Sequence, residues 1–236
     1  MNDIISNKKV VTRNDFLSIQ ELTELSLKAR KLLYFTIANC KMNDKKFLIY
    51  EVNTEELTKI LNVEERSVYN TVKKIAKELA HFLICYEDDI NEEFDYIPMF
   101  SRSSYKRGKM IIKINDDMKP YFLELKKNFT QAHLIDFVKM RSTYSMAVWH
   151  IFQREMRGTY PMIKQEIRFK LTLEELRQVT GTQKKFKQIG EFKTRVLDQA
   201  IKEISENCLS DIEYKNIKSS YKVVGFEFVA RSPWRT

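Results

Sequence analysis

One short pattern occurs twice in this chain, and it limits what the chain can fold into. NTEELTKIL at 53–61 and LTLEELRQV at 171–179 share a Thr followed by Glu-Glu-Leu. Glu55-Glu56-Leu57 matches Glu174-Glu175-Leu176 at an offset of 119 residues. Further on, Ala76-Lys77-Glu78-Leu79 matches Ile201-Lys202-Glu203-Ile204 at an offset of 125, so the second copy holds six extra residues between its two helices. A small polar residue, then acidic residues, then apolar residues at helical spacing mark a helix start. Each copy reads as a long helix, a short strand, two helices and a hairpin. A chain that repeats such a unit builds two similar domains.

In the first copy, 18–40 (SIQELTELSLKARKLLYFTIANC) has helical spacing and FLIYEV at 47–52 is strand-like. Thr54 is the expected N-cap of the next helix, whose apolar stripe is Leu57, Ile60 and Leu61. Asn62 stands at the break, where a tight helix-to-helix turn needs a residue tolerant of left-handed backbone. A second pattern then runs through Val68, Val72, Ile75, Ala76 and Leu79. Two short helices joined this way predict a helix-turn-helix. At about 100° per residue, Arg66, Asn70, Lys73, Lys74 and Lys77 gather opposite the apolar stripe, with Ser67 beside them. The second helix of such a pair is the one that enters a DNA major groove. After an acidic connection, FDYIPMFSRSSYKRGKMIIKIN forms two strand-like runs, the wing of a winged helix. Its tip offers Arg102, Lys106, Arg107 and Lys109 to a phosphate backbone.

The second copy begins after a short helix expected at 118–127. The stretch 129–158 is expected to be helical, broken near Arg141-Ser142, with Tyr144, Val148, Ile151 and Phe152 facing a core. IRFKL at 167–171 reads as a strand, and TLEELRQVTG as a helix ended by Gly181. The extra residues fall in QKKFKQIG. Lys184, Lys185 and Lys187 have almost no acidic compensation there, which predicts phosphate-positioning residues. The helix that follows buries Phe192, Val196, Leu197, Ala200, Ile201 and Ile204. Its polar face holds Glu191, Arg195, Asp198 and Lys202 in i,i+4 pairs of opposite sign. Arg195, Thr194 and Gln199 are placed nearer the bases, and Lys193 projects toward the apolar side with a stem long enough to carry its ammonium outward. A final hairpin carries Lys215, Lys218 and Lys222 near its turn. The expectation is a helix-rich α+β chain of two tandem winged-helix domains, 1–127 and 128–236, related by a pseudo-repeat, with the second making the main DNA contact.

Charge agrees with that reading. Lys and Arg number 41 against 32 Asp and Glu, a formal net charge of +9, which suits a polyanionic partner. Cys40, Cys85 and Cys208 are far apart, odd in number and set among apolar neighbours, so they read as reduced core or near-core thiols in a cytoplasmic protein. No apolar run is long enough to span a bilayer. No catalytic residue, metal site or cofactor is expected. His81, His133 and His150 form no His-x-His cluster for a metal-dependent nickase, and there is no P-loop. Two other readings of a basic tandem winged-helix chain are a dimeric winged-helix transcriptional repressor, which would favour an inverted repeat, and a protein-interaction scaffold with no sequence preference.

Four stretches in this order and spacing carry a further likeness: MKPYFLELKKNFT (118–130), MRSTYSMAVWHIF (140–152), LTLEELRQVTG (171–181) and FKTRVLDQAIKEIS (192–205). Together they resemble the initiator Rep proteins of iteron-controlled, theta-replicating plasmids, over about 17–230. The resemblance implies two winged-helix domains that bind directly repeated origin sites on double-stranded DNA as a monomer. It also implies a dimer through the N-terminal domain that represses the protein's own gene, contacts with host initiator and replicative helicase proteins, and a bacterial cytoplasm. One departure is the segment around Asn207-Cys208, where relatives carry a polar Thr-Asp pair.

Overall fold

A computed structural model describes residues 5, 7–41, 44–156, 166–208 and 211–231. The helical extension expected to 158 and the tail at 232–236 lie outside the described residues. The chain forms two compact units, Met1–Phe129 with His133–Val138, and Thr130–Ala132 with Lys139–Thr236.

In the first unit, β1 (Lys9–Arg13) leads into two 3-10 turns, Asn14–Ser18 and Gln20–Glu24, and then α1 (Leu27–Ala38). The single helix expected over 18–40 is therefore shorter. Ser26 is its N-cap, accepting from the Ala29 N–H, and Leu25 is extended. α1 is buried almost all round, including Arg30, Lys31 and Thr36, as befits a central helix. Lys31 donates to the Val138 carbonyl at 2.7 Å.

Of the expected 47–52 strand, β2 takes only the end (Tyr50–Asn53), and Leu48 and Ile49 are exposed. α2 (Thr54–Leu61) is capped by Asn53, not Thr54, in a reciprocal capping box with Glu56. The Thr54 hydroxyl instead donates to the Gly108 carbonyl at 2.8 Å, fastening α2 to the wing turn. Asn62 takes φ 50°, the left-handed turn expected of it. A 3-10 turn (Glu65–Ser67) opens α3 (Val68–Ala80). The acidic connection is an antiparallel hairpin, β3 (Leu83–Asp88) with β4 (Glu93–Pro98). The wing is β5 (Phe100–Lys106) with β6 (Lys109–Ile114), completing a sheet of order β2-β6-β5. Leu57, Ile60, Val72, Leu79, Met110 and Ile112 close the core beneath α3. The helix expected over 118–127 is a single turn, α4 (Lys119–Phe122), ended by extended Leu123 and Glu124 at φ 55°.

Phe129–His133 is a strand, β7, where a helix was expected. Its alternation, with Thr130 and Ala132 buried, is the period of two that a short window hides. α5 (Leu134–Lys139) and α6 (Thr143–Met156) follow, with the break at the expected Arg141-Ser142.

In the second unit β8 (Glu166–Thr172) feeds α7 (Leu173–Thr180), capped by a Thr172–Glu175 box and closed by Gly181 at φ 65°. After a loop come α8 (Ile189–Phe192), a π turn (Lys193–Leu197) and α9 (Asp198–Asn207), one continuous helical run. The hairpin β9 (Asp211–Ser219) and β10 (Lys222–Arg231) completes a sheet of order β8-β10-β9. Phe152, Phe169 and Phe228 cluster at 4.7–5.3 Å between ring centres. A Cβ at Gly225 would sit 2.6 Å from the Leu171 carbonyl oxygen, so β10 passes β8 there only as glycine. Cys208 is buried and Cys40 half-buried, but Cys85 is exposed, because its strand belongs to the two-stranded hairpin with one open face.

Candidate nucleic-acid interface

Each unit presents an exposed helix face flanked by a hairpin. In the first, α3 buries Val68, Val72, Ile75 and Leu79 and turns Asn70 and Lys73 to solvent. Arg66 lies just before the helix, exposed, its guanidinium 2.5 Å from Glu64. Ser67 is half-buried, and its hydroxyl donates to the Glu64 carbonyl at 2.8 Å, so it shapes the turn.

Lys74 and Lys77 are exposed on the same face, toward the C-terminal half of α3. They border a cavity of about 720 Å³ together with Glu21, Glu24, Glu78 and His81. Carboxylates thus stand near these two lysines on the face they share with Asn70 and Lys73.

Tyr69 escaped the sequence reading. It is 54% exposed on α3, with its ring 5.8 Å from Tyr105 of the wing and under the Lys73 ammonium at 6.0 Å. Tyr105 in turn lies 3.2 Å from the Thr54 hydroxyl. The available signal was an aromatic residue standing outside the apolar stripe of α3. Wing and helix therefore form one surface.

The wing turns through Arg107 (φ 49°) and Gly108 (φ 75°), the two positive φ values of a two-residue hairpin turn. Arg102, Lys106 and Arg107 are exposed, and no carboxylate among the described residues pairs with them. Lys109 is committed differently, pairing with Glu51 at 2.9 Å.

In the second unit, Lys184, Lys185 and Lys187 are exposed on the loop between α7 and α8. The loop is organised by Arg177 of α7. Its Nη1 donates to the carbonyls of Thr182 (2.9 Å) and Lys185 (2.8 Å), and its Nη2 to those of Phe186 (2.8 Å) and Lys187 (3.4 Å). The same guanidinium lies over the Phe192 ring at 4.8 Å. Phe186, at φ 49°, packs edge-on against Tyr144. Burial holds the Arg177 pKa below its usual value.

Past the loop, Thr194, Arg195 and Gln199 are exposed as expected. The expected pairs from Glu191 to Arg195 and Asp198 to Lys202 are not formed. Asp198 accepts from the Tyr214 hydroxyl of β9 at 2.5 Å. The reason is the π turn, in which the Asp198 N–H bonds the Lys193 carbonyl five residues back. That added residue breaks the rotation between Glu191 and Arg195, whereas Asp198 and Lys202 both follow the turn in regular helix, and there the Asp198 carboxylate is taken by Tyr214. Lys193 is half-buried, with its ammonium 5.3 Å from the Tyr214 ring.

At the second wing, Lys218 and Lys222 flank a turn containing Ser220 (φ 54°) and the 99% exposed Tyr221. Lys215 lies back on the strand, tied to Glu227 at 3.0 Å.

Comparison with known proteins follows this geometry. A family model described as initiator replication protein, WH1, matches residues 9–153, and one described as initiator Rep protein, WH2, matches 172–229. No curated protein matches the chain. The crystal structure of the Pi initiator protein in complex with iteron DNA superposes with a TM-score of 0.80 at 19% identity, covering 97% of this chain and 98% of that one. A structure of domains 2 and 3 of RctB aligns over 97% of this chain and 88% of that one, at 12% identity and a TM-score of 0.45, too low to bear on the fold. The Pi structure shows a shared fold, two winged helices in one chain.

Proposed function

The chain belongs to the initiator replication protein family, and on that premise we propose that it binds directly repeated duplex sites at a plasmid origin, one chain per repeat. The observation that carries this is the duplication itself: two winged helices, each offering an exposed polar helix face beside a basic hairpin. Two such units in one chain suit two successive major-groove faces, roughly 34–36 Å apart. The similar Pi initiator protein was solved with iteron DNA, which supports repeats as the target.

Phosphate contacts come from Arg102, Lys106 and Arg107, from Lys184, Lys185 and Lys187, and from Lys218. Base contacts come from Asn70 and Lys73 in the first unit, and from Thr194, Arg195 and Gln199 in the second. The protein acts by binding, without covalent chemistry. It recruits host initiator and helicase proteins, and as a dimer it represses its own gene.

The β3–β4 hairpin supports a protein-contact role in the first unit. Six carboxylates and no Lys or Arg lie between Leu83 and Pro98, while Ile90 and Phe94 are 93% and 72% exposed. Such a surface repels DNA and leaves apolar area for another protein.

The test is stoichiometry by native mass measurement on duplexes with one, two or three direct repeats. One added chain per added repeat supports the proposal. Binding only as pairs on an inverted repeat would move the chain to the repressor reading.

A further inference from the structure

Arg177 spends its guanidinium on backbone. It donates to four carbonyls of one loop, Thr182, Lys185, Phe186 and Lys187, and no carboxylate among the described residues pairs with it. That arrangement has a consequence for the other side of the same peptides. In a planar trans peptide, C=O and the following N–H point in opposite directions. With the carbonyls of Lys185, Phe186 and Lys187 turned in to Arg177, the N–H groups of Phe186, Lys187 and Gln188 are turned away from it. No group among the described residues accepts from these three N–H groups. Lys187 and Gln188 are exposed and Phe186 is half-exposed. Phe186 bends the loop at this point with its left-handed φ of 49°. Beside it in the loop are Lys184, Lys185 and Lys187, exposed and in no ion pair among the described residues.

We propose that this loop is a preformed phosphate-contact surface, in which the N–H groups of Phe186, Lys187 and Gln188 donate to the phosphate backbone of duplex DNA, and that Arg177 is the positioning residue that keeps them turned outward without touching DNA itself. The inference rests on the DNA-binding reading above and names the part of that surface built before DNA arrives. It accounts for the six residues that the second copy adds between its helices. It also accounts for an Arg here, since the planar fork of donors can serve several carbonyls at fixed angles and a lysine ammonium cannot.

The experiment uses the full chain and a duplex carrying its selected site. In the wild-type protein, amide resonances of Phe186, Lys187 and Gln188 are followed as duplex, and separately inorganic phosphate, are added. Large shifts with duplex and small shifts in the same amides with phosphate are expected. Shifts with phosphate and none with duplex would mark a free-anion site and overturn the DNA assignment.

Arg177→Lys keeps the charge and loses the fork. It is expected to weaken duplex binding about tenfold, roughly 1.4 kcal/mol. Coupling separates positioning from general structure. Lys185→Ala should weaken binding several-fold in the wild type and hardly at all in Arg177→Lys, because the loop is already released. Equal losses in both backgrounds, or unmoved amides in a wild-type protein that binds its duplex, would overturn the phosphate site and leave the DNA-binding reading standing. A wild-type protein that binds no duplex sequence above background would remove both.

Discussion

Lys185, Asn70 and His150 show how differently single residues serve this protein. Lys185 is exposed, on a loop, with no acidic partner. As a proposed phosphate contact it would act by releasing condensed counterions, which carries no sequence information. Lys185→Ala is therefore expected to weaken binding to every duplex alike and to reduce the slope of log K against log salt by about one unit. A titration at several salt concentrations checks this, and an unchanged slope would strike Lys185 from the phosphate contacts. Asn70 sits centrally on the exposed face of α3 with an amide suited to adenine. Asn70→Ala should cost roughly 1–3 kcal/mol on the preferred site and relax specificity at one base pair. A loss spread equally over all sequences would instead make it a backbone contact.

His150 is fully buried in α6, and burial, with the charge of Arg154 adding to it, lowers its pKa to about 3. Between that value and the ordinary 6.5 the unfolded chain binds the proton and the folded chain does not. Stability from this residue is thus complete above pH 6.5 and is lost as the pH falls. The loss is about 2 kcal/mol between pH 8 and pH 5. Denaturant melts at those two pH values, set beside a His150→Gln variant, should show a flatter pH dependence in the variant. Parallel curves would mean that His150 is not the group responsible.

At the scale of elements, the duplicated helix starts did the most to make the fold legible. Asn53 with Glu56, and Thr172 with Glu175, form two capping boxes. A cap is a local hydrogen-bond pattern, so the helix starts could be read from adjacent residues, although the first cap falls on Asn53 and not on the expected Thr54. Thr172→Ala should cost about 1 kcal/mol in unfolding free energy, and a loss below 0.3 kcal/mol, on the order of experimental scatter, would mean that the box contributes little. Asn62 was legible for the same reason, since its left-handed turn is a property of one residue type.

The failures have a common physical origin in longer-range structure. The π turn at Lys193–Leu197 shifts the helical phase, and no residue type announces it. The strand at Phe129–His133 is too short to separate from a helix by periodicity. Arg177 bonds backbone carbonyls, which every residue carries, so the partners of the one side chain that shapes the lysine loop leave no trace in the sequence. In the same way Lys74 and Lys77 share a helix face with Asn70, and only the packing of the Gln20–Glu24 turn nearby sets carboxylates beside them.

At the scale of the whole chain, the formal charge of +9 is distributed unevenly. Exposed cations stand on the helix faces, the hairpin tips and the inserted loop, as well as at Lys45, Lys126 and Lys139, while six carboxylates and no Lys or Arg occupy one hairpin of the first unit. Basic and acidic surfaces held on separate elements allow one chain to grip DNA and still present a different face to protein partners. The two units repeat a single plan with different proposed recognition faces, Asn70 and Lys73 in one and Thr194, Arg195 and Gln199 in the other. Each unit is accordingly expected to read its own part of the site.

The most direct measurement is a binding selection from random duplexes of about 40 base pairs, long enough for two sites of roughly two helical turns each, carried out at low and moderate salt. The account predicts a non-palindromic motif of about two turns, read in two different halves, with direct repeats of it filled by one chain each. An inverted repeat occupied only by dimers, or no motif above non-specific binding, would contradict it.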